Sequence, residues 1–80
     1  MISAELVSKV IREQRKKAGL SQEVLSGLAD LDRTHYSKIE RGLRLPTLDT
    51  FFKICQALNI QPHQLMLIIE KELQNTNNIK

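Results

Sequence analysis

The chain has 80 residues, a formal net charge of +3 and an isoelectric point of about 9.3, which allow one domain around one modest core. With 4% aromatic residues and no Trp, that core must be built from Leu, Ile and Val; three Gly and two Pro are too few turn residues for an all-β fold. A single cysteine, Cys55, excludes an internal disulfide framework, and no stretch reaches the ~20 apolar residues of a membrane span. The first residues, MISAELVSKV, lack the basic segment and long apolar run of a secretory signal. A cytoplasmic protein without membrane attachment is therefore expected. The basic balance admits nucleic acid as a partner without identifying it.

Five helices and no strand are expected in chain order. Residues 3–18 begin at Ser3, a good N-cap, and place Leu6, Val7, Val10 and Ile11 at helical spacing, with Ala18 continuing the stripe. Lys9, Arg12, Arg15, Lys16 and Lys17 load the later half with positive charge, which suits the negative end of the helix dipole. Gly19 comes next, where a left-handed cap belongs. Ser21 opens a helix of about two turns whose apolar side is Val24, Leu25 and Leu28. Ala29-Asp30-Leu31-Asp32 forms the next turn. Asp30 tolerates the left-handed region, Leu31 plugs the space between helices, and Asp32 caps the helix that starts at Arg33.

In residues 33–41, RTHYSKIER, Tyr36 and Ile39 face inward by their spacing. Arg33, Thr34, Ser37 and Lys38 fall on the other side near the N-terminal end. All four carry hydrogen-bond donors and no acid lies among them, while Glu40 is the exception. Gly42 ends that helix, residues 43–46 connect, and Thr47 caps the next. Helix 48–58 carries Leu48, Phe51, Phe52, Ile54, Cys55 and Leu58 on more than one face, so it is expected to be the central packing element, closed by a left-handed Asn59. Cys55 has no basic or metal-ligating neighbour and reads as a core residue. Pro62 fits the first turn of a last helix, 62–73. Its apolar residues exceed what one core contact needs, so Leu65, Met66, Ile68, Ile69 and Leu73 are expected to form a homodimer interface.

His35 and His63 stand far apart, and there is no Gly-rich phosphate loop, no paired carboxylates and no metal-ligand spacing. No enzyme activity, cofactor or metal is expected. A second reading is a protein-interaction module that wraps a partner through residues 65–80.

The stretch 21–42 is two short helices joined by a tight turn, and a major groove admits one such helix by its N-terminal end. The succession R-K-K-A-G-L-S-Q, L-D-R-T, I-E-R-G, P-T-L-D-T-F-F-K-I and A-L-N-I, running from Val10 to about Leu65, resembles the Cro/C1-type helix-turn-helix family of phage repressors and bacterial regulators. The resemblance implies an all-α, five-helix lambda-repressor-like DNA-binding domain spanning the chain. It implies that Gln22 binds a backbone phosphate at a helix N-terminus. It also implies that Arg33, Thr34, Ser37 and Lys38 face bases and phosphates, and that Arg41, Gly42, Leu43 and Arg44 lie along the backbone. Arg15 and Glu40 match a family pair that forms a partly buried salt bridge. Tyr36 stands where the family carries an aliphatic residue, so its hydroxyl is expected to reach DNA. His35 is expected beside solvent or phosphate. At this length the pattern is similar to the controller proteins of restriction–modification systems. Those are homodimers on inverted-repeat operators upstream of their own gene, with RNA polymerase as a further partner. Phage-type repressors, SinR-like regulators and antitoxins share much of the pattern and stay open as alternatives.

Overall fold

Four side-chain oxygens decide where four of the helices begin. Ser3 Oγ accepts from the Leu6 amide at 3.1 Å, Ser21 Oγ from Val24 at 3.1 Å, Asp32 Oδ2 from His35 at 3.2 Å and Thr47 Oγ1 from Thr50 at 3.1 Å. Each satisfies an amide that the first helical turn leaves without a partner. The structure is a computed structural model that describes residues 2–78, the side chains of 77 and 78 excepted; Met1 and the last two residues of the polar tail lie outside it. The helices are α1 (Ala4–Lys17), α2 (Gln22–Leu28), α3 (Arg33–Glu40), α4 (Leu48–Leu58) and α5 (Pro62–Asn78). The last runs past residue 73, where its apolar pattern stops, because nothing in the polar sequence after Leu73 breaks a helix.

The helix ends are set just as locally. Gly19, Asp30, Gly42 and Asn59 take positive φ of 74°, 55°, 77° and 56°. After α3 the amide of Gly42 donates to the Ile39 carbonyl at 3.1 Å and that of Leu43 to Lys38 at 3.0 Å, so the last turn closes on itself.

One core joins all five helices. Val7, Val10 and Ile11 come from α1, Leu25 from α2, and Tyr36 and Ile39 from α3. Phe51, Ile54 and Cys55 come from α4, and Leu65 and Ile69 from α5. Burying each large aliphatic side chain stabilises the fold by about 1.5–3 kcal/mol. The helices pack in a closed ring: α1 on α3, α3 on α2, α2 on α4, α4 on α5 and α5 back on α1. The contact of α5 with α1 includes an ion pair, Lys9 Nζ to Glu72 Oε2 at 2.7 Å.

Three expectations about packing are corrected. Helix α4 is buried on one side only, since Leu48 is 70% and Phe52 49% exposed. Val24 and Leu28 are exposed too, because a helix as short as α2 turns only Leu25 and Ser26 inward. Leu65 and Ile69 belong to the core of this chain, so they cannot form a face for a second copy.

Gly42 is the tightest glycine. A Cβ there would lie 3.3 Å from Glu5 Cα, Glu5 Cγ and Ser8 Oγ, whereas a Cβ on Gly19 would meet nothing within 4 Å. Both positions carry the left-handed backbone cost of roughly 1–2 kcal/mol for a residue with a side chain. Gly42→Ala is expected to lower stability more than Gly19→Ala, because only at Gly42 must the Glu5 backbone and Ser8 also give way by a few tenths of an ångström. Urea unfolding of the two variants measures the difference, and equal losses would contradict the close approach of the α3–α4 loop to α1.

Candidate nucleic-acid interface

Helix α3 has eight residues and two unlike sides. Tyr36, Ile39 and Glu40 point into the protein. Arg33 and Thr34 are exposed, and His35, Ser37 and Lys38 are half-buried at its flanks. Arg41 and Arg44 are exposed in the loop after the helix. The N-terminal half of α3 thus presents donors and positive charge, and the one carboxylate in α3 is withdrawn.

That carboxylate is 2% exposed and fully engaged. Arg15 Nε donates to both oxygens, at 3.1 Å to Oε1 and 2.9 Å to Oε2. Arg15 Nη2 donates to Oε1 at 2.7 Å, and Arg15 Nη1 reaches back to the Leu20 carbonyl at 2.8 Å. Gln22 Nε2 donates to Oε1 at 3.0 Å, and the Tyr36 hydroxyl donates to Oε2. One anion therefore ties α1, the loop before α2, the start of α2, and α3. Among the described residues no buried side-chain nitrogen or oxygen lacks a partner.

Burial by itself would raise the Glu40 pKa, but hydrogen bonds from Arg15, Tyr36 and Gln22 outweigh it and the carboxyl is held below its ordinary 4.5. Burial, reinforced by the bond to Glu40, pushes the Tyr36 hydroxyl well above the ordinary tyrosine range, so it stays a donor. Burial also raises Cys55 to about 11, which makes it an inert core thiol.

The expected contact set is changed in one respect. Tyr36 is 0% exposed and its hydroxyl is committed to Glu40, so it is not on the exposed face. Gln22 sits at the edge, half-buried, with one amide hydrogen on Glu40. Of the residues expected at a dimer interface, Met66 is exposed, Ile68 and Leu73 are half-buried, and Leu65 and Ile69 are internal. An exposed apolar surface lies instead around Leu45, Leu48, Phe52 and Met66, with a cleft beside Ile2; Val24, Leu28, Leu43 and Leu67 are exposed as well. In the sequence, Leu48 and Phe52 are four apart and so share one face of α4, but that spacing does not distinguish an exposed face from a core one. Among the described residues, no three His, Cys, Asp or Glu side chains come together as a metal site would need. No described helix is long and apolar enough to cross a membrane.

A model of the helix-turn-helix family matches residues 11–65. The chain belongs to this family. It is 45% identical over 58 residues to the control protein C.BamHI of Bacillus amyloliquefaciens, covering 72% of each chain. It resembles the restriction–modification controller protein C.AhdI from Aeromonas hydrophila with a TM-score of 0.74 at 39% identity, covering 78% of this chain and 94% of the other. It also resembles C.Esp1396I bound to a 19 base pair DNA duplex, with a TM-score of 0.82 at 33% identity over 88% of this chain and 93% of that one. In this helix-turn-helix chain, α2 and α3 form the motif, and Gln22 and Glu40 join its two helices directly.

The buried pair sets a pH dependence. A carboxylate whose pKa is depressed by folding stabilises fully above its ordinary value, and that contribution is lost as pH falls through the lower value it has in the fold. The urea midpoint is therefore expected to fall as pH drops through the ordinary 4.5 and on through the lower value Glu40 has in the fold, with a shallower fall in Glu40→Gln. Arg15→Ala, which leaves the buried carboxylate without its partner, is expected to cost about 3–5 kcal/mol at neutral pH. Parallel pH profiles for wild type and Glu40→Gln would contradict the assignment.

Proposed function

We infer that the chain is a sequence-specific, double-stranded DNA-binding transcription regulator of a restriction–modification system. The observation that carries this reading is the division of α3: its donors and cations face outward while its one carboxylate is neutralised inside by Arg15. A helix so divided suits the negative potential and donor–acceptor edges of a major groove. The likeness to control proteins, one of them solved with duplex DNA, supports the regulatory role.

In this reading Arg33, at the exposed start of α3, makes a bidentate contact to guanine, and Thr34, Ser37 and Lys38 complete the base-facing and phosphate-facing set. His35 lies beside the backbone, and Gln22, Arg41 and Arg44 hold phosphates on either side. The protein works in the cytoplasm as a homodimer on an inverted repeat at its own promoter, with no catalytic step. The uncovered apolar residues Leu45, Leu48, Phe52 and Met66 support a second copy on that face.

Selection of duplexes from a random pool is expected to return two half-sites in inverted repeat. Arg33→Ala is expected to bind the selected duplex about tenfold or more weakly and to lose preference at one base pair per half-site. No enrichment, or unchanged affinity and selectivity in Arg33→Ala, would contradict the reading. The dimer has its own check. Sedimentation is expected to give a wild-type dimer and a folded Leu48→Asp, Phe52→Asp monomer that binds the selected duplex weakly. A wild-type monomer, or a variant that still dimerises, would contradict the assigned face.

A further inference from the structure

We propose that Tyr36 and Glu40 are positioning residues that aim the Gln22 amide at the DNA backbone, although neither touches DNA. The proposal rests on the reading of Gln22 as a phosphate contact. A glutamine amide nitrogen carries two N–H donors, and Glu40 Oε1 holds one of them at 3.0 Å. That bond restricts the amide and leaves its second N–H free for DNA, on a side chain that is half-buried at the edge of the site. The side chain is ordered before DNA arrives, so binding loses less conformational freedom.

Glu40 can do this because its own freedom is removed first. Arg15 spans both carboxylate oxygens, and the Tyr36 hydroxyl donates to Oε2, the oxygen that Gln22 does not use. Tyr36 and Arg15 together fix the rotation of the carboxylate and so the place of Oε1. Glu40 closes α3 and Gln22 opens α2. The Gln22–Glu40 bond thereby fixes the distance between a backbone-facing group on one helix and the base-facing side of the other. Phosphate contacts set the register in which bases are read, so this distance matters for selectivity as well as affinity.

The test is a double-mutant cycle with wild type, Tyr36→Phe, Gln22→Ala and the double variant. Affinity is measured on the duplex that wild type selects from a random pool, with thermal midpoints recorded for all four. Gln22→Ala is expected to weaken binding. Tyr36→Phe is expected to weaken it about five- to tenfold when Gln22 is present and less than about twofold when Ala replaces it. If Gln22→Ala leaves affinity unchanged, Gln22 is not a DNA contact and the proposal falls with that reading. If Gln22→Ala weakens binding but Tyr36→Phe costs the same in both backgrounds, Gln22 stands as a contact and only the positioning role is overturned. A tyrosine that merely supports the core gives that second result. A further measurement needs no variant. In the free wild-type protein the two Nε2 protons of Gln22 are expected to exchange at unequal rates, one of them slower than the side-chain amide protons of the exposed Gln56. Equal, fast exchange at Gln22 would overturn the proposal.

Discussion

The Glu40 carboxylate lies inside the protein at the end of the helix that must present positive charge outside. A buried anion is costly unless paired and hydrogen-bonded, so its partners have little freedom to be anywhere else. Arg15 must reach it from α1, Gln22 from the start of α2 and Tyr36 from one turn earlier in α3. Those demands fix the mutual placement of the first three helices more narrowly than apolar packing does, because hydrogen bonds are directional and hydrophobic contact is not. The same bonds keep a negative charge away from the exposed side of α3.

The closed ring of helices completes what the carboxylate begins. Helices α4 and α5 supply none of Glu40's partners and contribute Ile54, Cys55, Leu65 and Ile69 to the core. They pack on α2 and α1 and leave an apolar surface at Leu48, Phe52 and Met66 uncovered. One recognition helix reads only a few base pairs. A second copy carried on that surface would double the site and impose two-fold symmetry on it. The chain thus separates its surfaces, with donors and cations exposed on α3 and its loop, and apolar side chains exposed on α4 and α5.

Much of this was legible in the residues. Ser3, Ser21, Asp32 and Thr47 mark helix starts because a short side chain that accepts from the first turn is a local property. Gly19, Gly42 and Asn59 mark ends because the left-handed backbone is equally local. The part that was not legible depended on which apolar residues the other helices would cover. Leu48 and Phe52 look like core residues along α4, and Leu65 and Ile69 look no different from Met66 along α5. Only the closed ring decides that α5 turns Leu65 and Ile69 inward and that α4 leaves Leu48 outside. The place of the Tyr36 hydroxyl is hidden for a related reason. A phenol at an inward position can be satisfied inside only if an acceptor is waiting, and that acceptor, Glu40, is one turn away in sequence but depends on Arg15 from another helix.

The most direct test of the divided helix is a crystal structure of the protein with the duplex it selects from a random pool. The N-terminal half of α3 is expected in the major groove, with Arg33 on a base edge, while the Glu40 carboxylate stays buried on Arg15, Tyr36 and Gln22. Another face of the protein on the duplex, or Glu40 released from Arg15 and turned toward the groove, would contradict it.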